Sequence, residues 1–330
     1  MENILHYVRS AMNTIPLTFN EHQINCTVLG GQNNASKGSL NICAVLLNKN
    51  GSHLHLQTIE NLISCGFRSI ISVEPNSESY NIEDMSKRFP SVKFIVPREK
   101  CTEGDLINLC MAETDSEYVF VLKDSLYIPQ NFMAVNLAEN LTKSKSYCVV
   151  PRLVSNLGES VSIRTTPIAE RGRFRIISSQ LINDGVHTIF PPDFIGLYNR
   201  EKFIQLGGFD YTITSSYWQN VDLAMRSWLW GEFTVLSTKL AITYKDEVPV
   251  DNVTPNLSYL RFYLKNILPK YKADHGMISN LSFMNFFFNS SCGILEAISQ
   301  FSGAKKWVKM HRYRFRYDAK YMIENWNNLK

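Results

Sequence analysis

The feature that most constrains this chain is a regular alternation of strand-like and helix-like segments that begins at Leu40. Short apolar runs alternate with segments whose apolar residues recur at helical spacing. Such alternation is typical of a parallel sheet with helices on both faces, where ligands bind beyond the carboxyl ends of the strands. We predict strands at 41–47, 69–73, 92–96 and 118–122, and helices at 54–65, 85–89 and 105–113.

The second half of this region is less regular. The pattern predicts a helix at 129–141, strands at 147–150, 194–198, 233–236 and 240–244, and helices beginning near Arg200 and near Tyr217. Residues 153–192 carry no clear period and are expected to form a long connection. We therefore divide the chain into an N-terminal extension at 1–38, an α/β domain at 39–248 and a C-terminal helical region at 249–330.

Size and composition narrow the class of protein. With 330 residues, 45% of them hydrophobic, the chain can bury a large core. No run of about 18 apolar residues occurs, so no transmembrane helix is expected. The first twenty residues lack the basic and then apolar pattern of a secretory signal. Seven cysteines without paired spacing favour a reducing compartment over a disulfide framework or a zinc site, so we expect a cytoplasmic protein.

The segment from 193 to 232 carries the densest set of polar residues at element ends. A double glycine, Gly207-Gly208, allows positive backbone angles and a close reversal of the chain. In the helix that follows, Asp222 precedes Arg226 by one turn, which favours an ion pair. Asp222 therefore has two interpretations, a helix-start acid paired with Arg226 or a functional carboxylate.

This order of motifs resembles the acceptor-side half of family-two glycosyltransferases of the GT-A fold, and more narrowly a divergent bacterial, spirochaete-type group. The matching residues are Gly207, Gly208, Phe209, Asp210, Asp222 and Arg226. The resemblance covers residues 40–240. It implies a nucleotide-diphospho-sugar transferase, Rossmann-like mixed sheet flanked by helices, followed here by a C-terminal helical extension.

The chain departs from the family pattern at the catalytic acid. Where the family has Glu-Asp, whose aspartate is the general base, this sequence has Gln219-Asn220, and neither amide can accept a proton at neutral pH. Asp222 and Asp193 are therefore the candidate catalytic carboxylates, with Asp210 as a third. Asp193 precedes the predicted strand at 194–198, and the sequence leaves open at which end of the sheet it lies.

The predicted binding site for the sugar donor consists of residues that follow the first two strands. Asn48 follows the first strand, where the resemblance implies the start of the nucleotide pocket. Glu74 follows the second strand, where the family has an aspartate-led turn that contacts the base and ribose. Its carboxylate can accept hydrogen bonds from a uracil or a ribose. We expect both residues to bind the nucleotide sugar.

The fourth strand ends in Lys123-Asp124-Ser125, where the resemblance implies a metal-binding Asp-x-Asp. Mg²⁺ and Mn²⁺ prefer carboxylate oxygens, and one carboxylate remains. Either Asp124 holds a metal together with the diphosphate and water, or Lys123 pairs directly with phosphate. A third interpretation makes Lys123 an exposed lysine at a strand end. Further positive charge comes from the 153–192 connection, at Arg164, Arg171, Arg173 and Arg175.

The C-terminal tail becomes strongly basic at 303–317. Six basic residues occur there without an acid and alternate with aromatic residues. The net charge is +4, and without these six residues it would be about −2, so the basicity is local. Basic and aromatic residues together suit an anionic membrane surface, where a lipid-linked acceptor would lie. The alternative is a solvated helix face. No nucleic-acid partner is expected, because no recognised binding module accompanies the charges.

Two functions follow from these observations. The first is a glycosyltransferase of hexosyltransferase type that moves a sugar from a nucleotide-diphosphate donor to a hydroxyl of a glycan, a lipid-linked glycan or a protein. The second is a catalytically inactive GT-A domain that binds a nucleotide sugar, a glycan or a partner transferase. The second is supported by the loss of both acidic motifs, since losing one general base costs about 100- to 10,000-fold in rate.

Overall fold

A nine-stranded mixed sheet is the centre of the protein. The computed structural model describes residues 22–31, 38–48, 55–74, 82–170, 173–180, 183–290 and 292–329. The sheet strands are β1 (Cys26–Gly30), β2 (Leu40–Leu47), β3 (Phe67–Val73), β4 (Val92–Pro97), β5 (Tyr118–Lys123), β6 (Leu126–Tyr127), β7 (Cys148–Val154), β10 (Gly196–Asn199) and β11 (Thr234–Tyr244). Separate hairpins are formed by β8 (Arg164–Glu170) with β9 (Arg173–Ser179), and by β12 (Lys270–Lys272) with β13 (His275–Met277).

The α-helices of the described residues divide between the α/β region and the C-terminal region. The first group is α1 (His55–Ser64), α2 (Ile82–Arg88), α3 (Glu103–Ala112), α4 (Val135–Thr142), α5 (Arg200–Gln205) and α6 (Ser216–Leu229). The second is α7 (Leu257–Phe262), α8 (Ser282–Ser290), α9 (Ile294–His311) and α10 (Ala319–Glu324). Within these residues, no helix is long and apolar enough to cross a membrane.

The sheet order is β1-β4-β3-β2-β5-β10-β7-β11-β6. Strands β4, β3, β2 and β5 are mutually parallel, and α1, α2 and α3 connect them in sequence. All six side chains of β5 are buried, as expected of a strand covered on both faces. The predicted α/β fold class is confirmed, and the four predicted strands differ from the observed ones by two residues or fewer at each end.

Three parts of the chain depart from the simple sequence pattern. β1 lies in the segment expected to be an extension, and it joins the sheet antiparallel to β4. Part of the connection at 153–192, for which the sequence shows no clear period, forms the β8–β9 hairpin. The two strands predicted at 233–236 and 240–244 are one strand, β11, with a shift in register between Ser237 and Ala241. That irregularity interrupts the alternation and explains the apparent break. The boundaries near residues 38 and 248 stay predictions.

The direction of β10 decides where the site lies. β10 runs antiparallel to β5, with Gly196 opposite Val121. The start of β10 therefore lies beside the carboxyl end of β5. Asp193, three residues before Gly196, is thus at the ligand-binding edge of the sheet rather than at the opposite edge.

A second hydrophobic core joins α6 to the C-terminal helices. Trp228 of α6 is fully buried, and its ring centroid lies 4.5 Å from that of Trp326. Val221, Ala224 and Met225 belong to the same core, at the helical spacing seen in the sequence. The C-terminal region is therefore a layer packed on the sheet domain.

Helices α3 and α6 approach closely at Gly104. A Cβ atom at this position would lie 2.4 Å from Gln219 Oε1 and 2.8 Å from Phe209 Cβ. The backbone N–H of Gly104 also donates to Gln219 Oε1 at 3.2 Å. Only glycine allows this contact, which fixes α6 against the start of α3.

We expect Gly104→Ala to lower the free energy of unfolding by about 1–3 kcal/mol, because the added methyl group overpacks the α3–α6 contact. Denaturant unfolding measures this change. The matched control is Gly303→Ala in α9, where nothing lies within 4 Å of the added Cβ. That change should raise the free energy of unfolding by about 0.5–1 kcal/mol. Equal effects of the two substitutions would contradict the packing argument.

Candidate functional site

The ends of β2 and β3 carry the two residues expected to bind the donor, and the structure brings them together. Asn48 Nδ2 donates to Glu74 Oε2 at 2.8 Å, and Ser72 Oγ donates to Glu74 Oε1 at 2.5 Å. Both Asn48 and Glu74 are buried. They form a fixed polar pair at the carboxyl edge of the sheet. Residues 49–50 and 75–77, which continue these strand ends, lie outside the described residues.

Lys123 is not an exposed lysine at a strand end, because only 4% of it is accessible. Its ammonium group contacts Glu103 Oε1 at 2.9 Å and also forms an ion pair with Asp193 Oδ1. Nζ lies 5.6 Å from the centroid of the Phe194 ring. One positive charge thus faces two carboxylates. In this arrangement Lys123 holds Asp193 and Glu103 in place, and its use as a phosphate ligand would require it to leave one of them.

The backbone at Asp193 is strained. Asp193 has φ 53° and Phe194 has φ 63°, both in the left-handed region that non-glycine residues rarely adopt. Each such residue costs on the order of 1–3 kcal/mol and persists only where surrounding contacts determine it. The buried Phe194 ring and the ion pair to Lys123 supply such contacts. The strained turn directs Asp193 to the edge of a cavity.

That cavity has a volume of about 270 Å³. Its polar groups include the Asp193 and Asp251 carboxylates and the Tyr217 and Tyr244 phenols. The complete lining is Val161, Ser162, Thr165, Ile176, Ser178, Phe190, Pro192, Asp193, Tyr217, Tyr244, Val248, Pro249, Asp251 and Val253. A concave, largely apolar surface with a few convergent polar groups is the usual form of a small-molecule site.

Asp251 is a candidate residue that the sequence analysis missed. It lies in the segment after β11, which has no helical or strand period, and no motif surrounds it. The residue as a whole is exposed to solvent, but neighbouring protein groups partly enclose its carboxyl group at the cavity. Burial raises the pKa of Asp251, and the negative charge of Asp193 raises it further, while Lys123 opposes the shift. A carboxyl with a raised pKa is better suited to accept a proton than an ordinary one.

Lys245 is the second residue that was missed. Its ammonium group donates to the backbone carbonyl of Asp124 at 2.8 Å and lies 3.5 Å from Thr58 Oγ1. Burial lowers the pKa of Lys245, while the carboxylates of Asp124 and Asp246 act in the opposite direction. The residue follows β11, whose last residue, Tyr244, pairs with Leu126 of β6. This pairing brings Lys245 to the position where the sequence predicts a metal ligand.

The described residues do not fit a Mg²⁺ or Mn²⁺ site of the usual kind. Among them, no group of three or more His, Cys, Asp or Glu side chains could hold a metal ion. At the expected Asp-x-Asp position, Asp124 is the carboxylate between Lys123 and Ser125, and Lys245 lies beside it. Hard divalent cations need several oxygen ligands, and a neighbouring ammonium group opposes their binding.

Asp222 lies apart from the cavity. Its side chain is fully buried, with Oδ2 2.5 Å from Arg226 Nη2 and Oδ1 accepting from Asn266 Nδ2 at 2.7 Å. Burial raises the pKa of Asp222, and the Arg226 charge opposes this. The ion pair predicted from the one-turn spacing is present. A catalytic role for Asp222 stays a prediction, and its enclosure favours the structural interpretation.

Asp210 and Arg226 extend this buried network. Asp210 forms an ion pair with Lys265 and accepts from Thr212 Oγ1 at 2.7 Å. Burial raises the pKa of Asp210, but Lys265, Thr212 and Arg226 together hold it below its usual range. Arg226 Nη1 donates to the carbonyls of Leu206 and Gly208 at 2.8 and 3.1 Å. The double-glycine turn is thus tied to α6 and to the C-terminal layer.

Gln219 and Asn220, which replace the acidic pair of the family pattern, are also buried. Gln219 Nε2 donates to the carbonyl of Asp210 at 3.1 Å, and Asn220 Nδ2 donates to the carbonyl of Pro191 at 2.7 Å. An amide can donate these bonds, whereas a carboxylate cannot. The amides therefore have structural hydrogen-bonding roles at this position.

Two of the four arginines of the 153–192 connection have described side chains, and Arg175 lies opposite Ile168, four residues along β8 from Arg164. Arg175 of β9 pairs with Glu170 of β8 at 2.7 Å, and both side chains are largely exposed. Arg164 lies at the start of β8 and is partly buried. Arg171 and the side chain of Arg173 lie outside the described residues. A phosphate-binding role for these arginines stays a prediction.

Comparisons with known proteins give a fold and not a family. No family model matches the sequence, and no curated protein matches it. A crystal structure of GalNAc-T7 with UDP, GalNAc and Mn²⁺ is similar, with a TM-score of 0.55 and 12% sequence identity. The match covers 88% of this chain and 59% of that chain, so this chain spans less than two thirds of its length. At this identity the likeness shows the GT-A glycosyltransferase fold alone.

We expect Asp222→Asn to lower the free energy of unfolding by about 3–5 kcal/mol, because it leaves Arg226 buried without its ion pair. Asp193→Asn should cost about 1 kcal/mol, since Lys123 keeps Glu103 and asparagine tolerates the left-handed backbone. Denaturant unfolding compares the two variants. A fully stable Asp222→Asn protein that has lost turnover would instead support the catalytic interpretation of Asp222.

Proposed function

We propose that this protein is a glycosyltransferase of hexosyltransferase type that uses a nucleotide-diphosphate sugar and a hydroxyl acceptor. The observation that carries the proposal is the shared position of three features at one edge of the GT-A sheet. These are the Asn48–Glu74 pair, the Lys245 ammonium group beside Asp124, and the cavity that holds Asp193. A donor site and an acceptor cavity at the carboxyl edge are what a group transfer requires.

On the donor side, we assign the nucleoside to Asn48 and Glu74, whose side chains can donate to and accept from a base or ribose. The diphosphate would lie near the carboxyl end of β5. Lys245 is the ammonium group best suited to it, because it contacts a carbonyl and a hydroxyl, whereas Lys123 is held by two carboxylates. An ammonium group binds phosphate as a point charge and is more effective when partly buried.

On the acceptor side, we assign the cavity to the sugar hydroxyl and its surroundings. Asp193 and Asp251 are the carboxylates there, and Tyr217 and Tyr244 offer aromatic surface and phenol groups. A carboxylate base would take the proton of the acceptor hydroxyl as the hydroxyl oxygen attacks the anomeric carbon. The bond from that carbon to the diphosphate oxygen breaks, and the nucleoside diphosphate leaves. Asp251 is the better placed of the two for this step, because Asp193 is engaged by Lys123.

The alternative is a GT-A domain that binds a nucleotide sugar, a glycan or a partner transferase without turnover. The buried hydrogen bonds of Gln219 and Asn220 favour it, because the position of the family base is occupied by structural amides. Under this alternative, the polar pair at β2 and β3 would still bind a donor, but no nucleotide diphosphate would be released. We place either function in the cytoplasm, with a glycan, lipid-linked glycan or protein as acceptor.

The donor site is tested by calorimetric titration with uridine, guanosine, cytidine and thymidine diphosphate sugars, each with EDTA and with Mn²⁺. We expect one nucleotide class to bind in EDTA, since ammonium charge is available beside Asp124. Lys245→Gln should weaken that binding about 10-fold. The control is Lys239→Gln on β11, the strand that precedes Lys245. Its ammonium group pairs with Asp184 at the surface, and the substitution should leave binding unchanged.

Three outcomes of this titration would change the assignment. Binding that strictly needs Mn²⁺ would overturn the role of Lys245 and support Asp124 as a metal ligand. If Lys239→Gln weakens binding as much as Lys245→Gln does, the loss of affinity is a general effect of positive charge and not a contact of Lys245. Absence of binding to every donor under both conditions would overturn the donor site itself.

Turnover is tested by release of the nucleoside diphosphate from the donor identified in this way. Asp251→Asn should lower the release rate about 100-fold or more while donor affinity stays the same. In the unaltered protein the rate should fall as pH falls through the raised pKa of Asp251, because the base must be unprotonated. The fall of the release rate at low pH should be absent in Asp251→Asn. Donor binding without release at any pH would favour the non-catalytic alternative.

A further inference from the structure

The C-terminal layer exposes an apolar surface that neither proposed function uses. It consists of one face of α8 with the residue before it, and the first turns of α9. We call it the apolar tip, and its residues are Leu281, Met284, Phe288, Ile294, Leu295 and Ile298. We propose that this apolar tip, together with the adjoining lysines of α9, docks the protein on an anionic lipid bilayer.

The exposure of these side chains is large. Leu281 is 87% accessible, Leu295 81% and Phe288 74%, and the other three residues are between 48% and 59% accessible. Isolated exposed apolar residues are common, but a group of five in two consecutive helices, with a sixth directly before them, marks an interaction surface.

The tip is one face of an amphipathic element rather than an unfolded segment. Met284 and Phe288 are four residues apart and share a side of α8, with Leu281 one turn earlier. The opposite side of α8 faces the second core, where the ring centroids of Phe286 and Phe301 lie 5.9 Å apart. The helix therefore has apolar residues on both sides, one packed and one exposed. An apolar side of a helix that the core leaves uncovered favours contact with a second apolar environment.

Basic residues continue the exposed side of α9 beyond the tip. Lys306 follows Leu295, and Lys309 follows Ile298, by 11 residues in each case, which is about three helical turns. Both lysines are exposed. Within α9, the one acidic residue is Glu296. An apolar surface next to a stripe of ammonium groups matches an anionic bilayer, whose headgroups attract lysine and whose acyl region takes apolar side chains.

Of the four aromatic residues of the 303–317 tail, Trp307 and Phe315 pack against the protein, whereas Tyr313 is 67% accessible. Phe315 is buried, and Trp307 packs against Trp230 with 6.0 Å between the ring centroids. The Arg314 guanidinium also lies over the Trp230 ring, at 5.2 Å. The tail thus contributes charge and the exposed Tyr313 ring, while the larger apolar surface lies earlier in the chain, in α8 and at the start of α9.

A second copy of the chain fits this surface less well than a bilayer. A symmetric dimer through the tip with parallel α9 helices would bring the α9 lysines of one copy toward those of the other, and like charges in an interface are unfavourable. A bilayer meets the same lysines with anionic headgroups. The inference depends on neither donor binding nor turnover, so it can fail or hold independently of the proposed function.

The test is flotation of the full chain with vesicles of phosphatidylcholine, with and without phosphatidylglycerol. We expect binding to the anionic vesicles at low salt and loss of binding at high salt. Leu295→Ser combined with Phe288→Ser should weaken the partition about 10-fold or more. Lys306→Gln combined with Lys309→Gln should weaken it about 10- to 30-fold on anionic vesicles.

The control is Leu157→Ser, which removes a leucine of the same exposure, 81%, from the turn between β7 and β8. It should bind vesicles as the unaltered chain does. Circular dichroism and denaturant unfolding confirm that each variant is folded.

The proposal is overturned if the unaltered chain does not float with anionic vesicles, or if the tip variant floats as well as Leu157→Ser. It is also overturned if the protein forms a dimer in the absence of vesicles and Leu295→Ser dissociates this dimer, because a second copy of the chain then covers the tip. Sedimentation velocity measures whether the protein is a monomer or a dimer.

Discussion

The antiparallel pairing of β10 with β5 is the constraint on which the candidate site depends. β10 also pairs antiparallel with β7, so it is held on both sides. A Cβ at Gly196 would lie 2.6 Å from Cys148 Sγ, which shows how closely the strands approach. This pairing brings the turn before β10 to the carboxyl end of β5, where the buried Lys123 meets Asp193. The strained backbone at Asp193 is a local cost that these contacts offset.

A second set of buried charges joins the sheet domain to the C-terminal layer. Arg226 binds Asp222 and two carbonyls of the preceding turn, and its guanidinium lies 5.7 Å from the ring centroid of Trp307. Asn266 and Lys265 reach the same network from the segment that follows α7. Buried charges are tolerated only when paired and hydrogen-bonded. The residues that match the glycosyltransferase pattern in this segment therefore support the packing of α6.

The two halves of the site differ in charge. Near the cavity, Glu103, Asp193 and Asp251 outnumber Lys123, whereas Lys245 brings a positive charge to the end of β5. Under the proposed function, the negative half would suit proton removal from an acceptor hydroxyl, and the ammonium group of Lys245 would suit a diphosphate. The position where the fold's metal ligands are expected is thus occupied by a mixture of ammonium and carboxylate groups.

The sequence by itself determined the order of β2 to β5 and of the helices between them, because the periods of 2 and 3.6 residues are local properties. It also determined the Asp222–Arg226 pair, since residues four apart on a helix are neighbours in any helix. It placed Asn48 and Glu74 correctly at strand ends, because parallel strands bring their carboxyl ends to one edge of the sheet.

Only the tertiary structure decided which carboxylates share the cavity. Lys123 and Asp193 are 70 residues apart, and Lys245 and Asp124 are 121 apart, so no local pattern connects them. Asp251 follows the last strand of the sheet in a segment without a period, and its place in the cavity lining beside Asp193 alone marks it. Contacts between distant segments depend on strand direction and helix packing, which a single sequence does not encode locally. The physical reason is that a residue's charge environment is set by its neighbours in space.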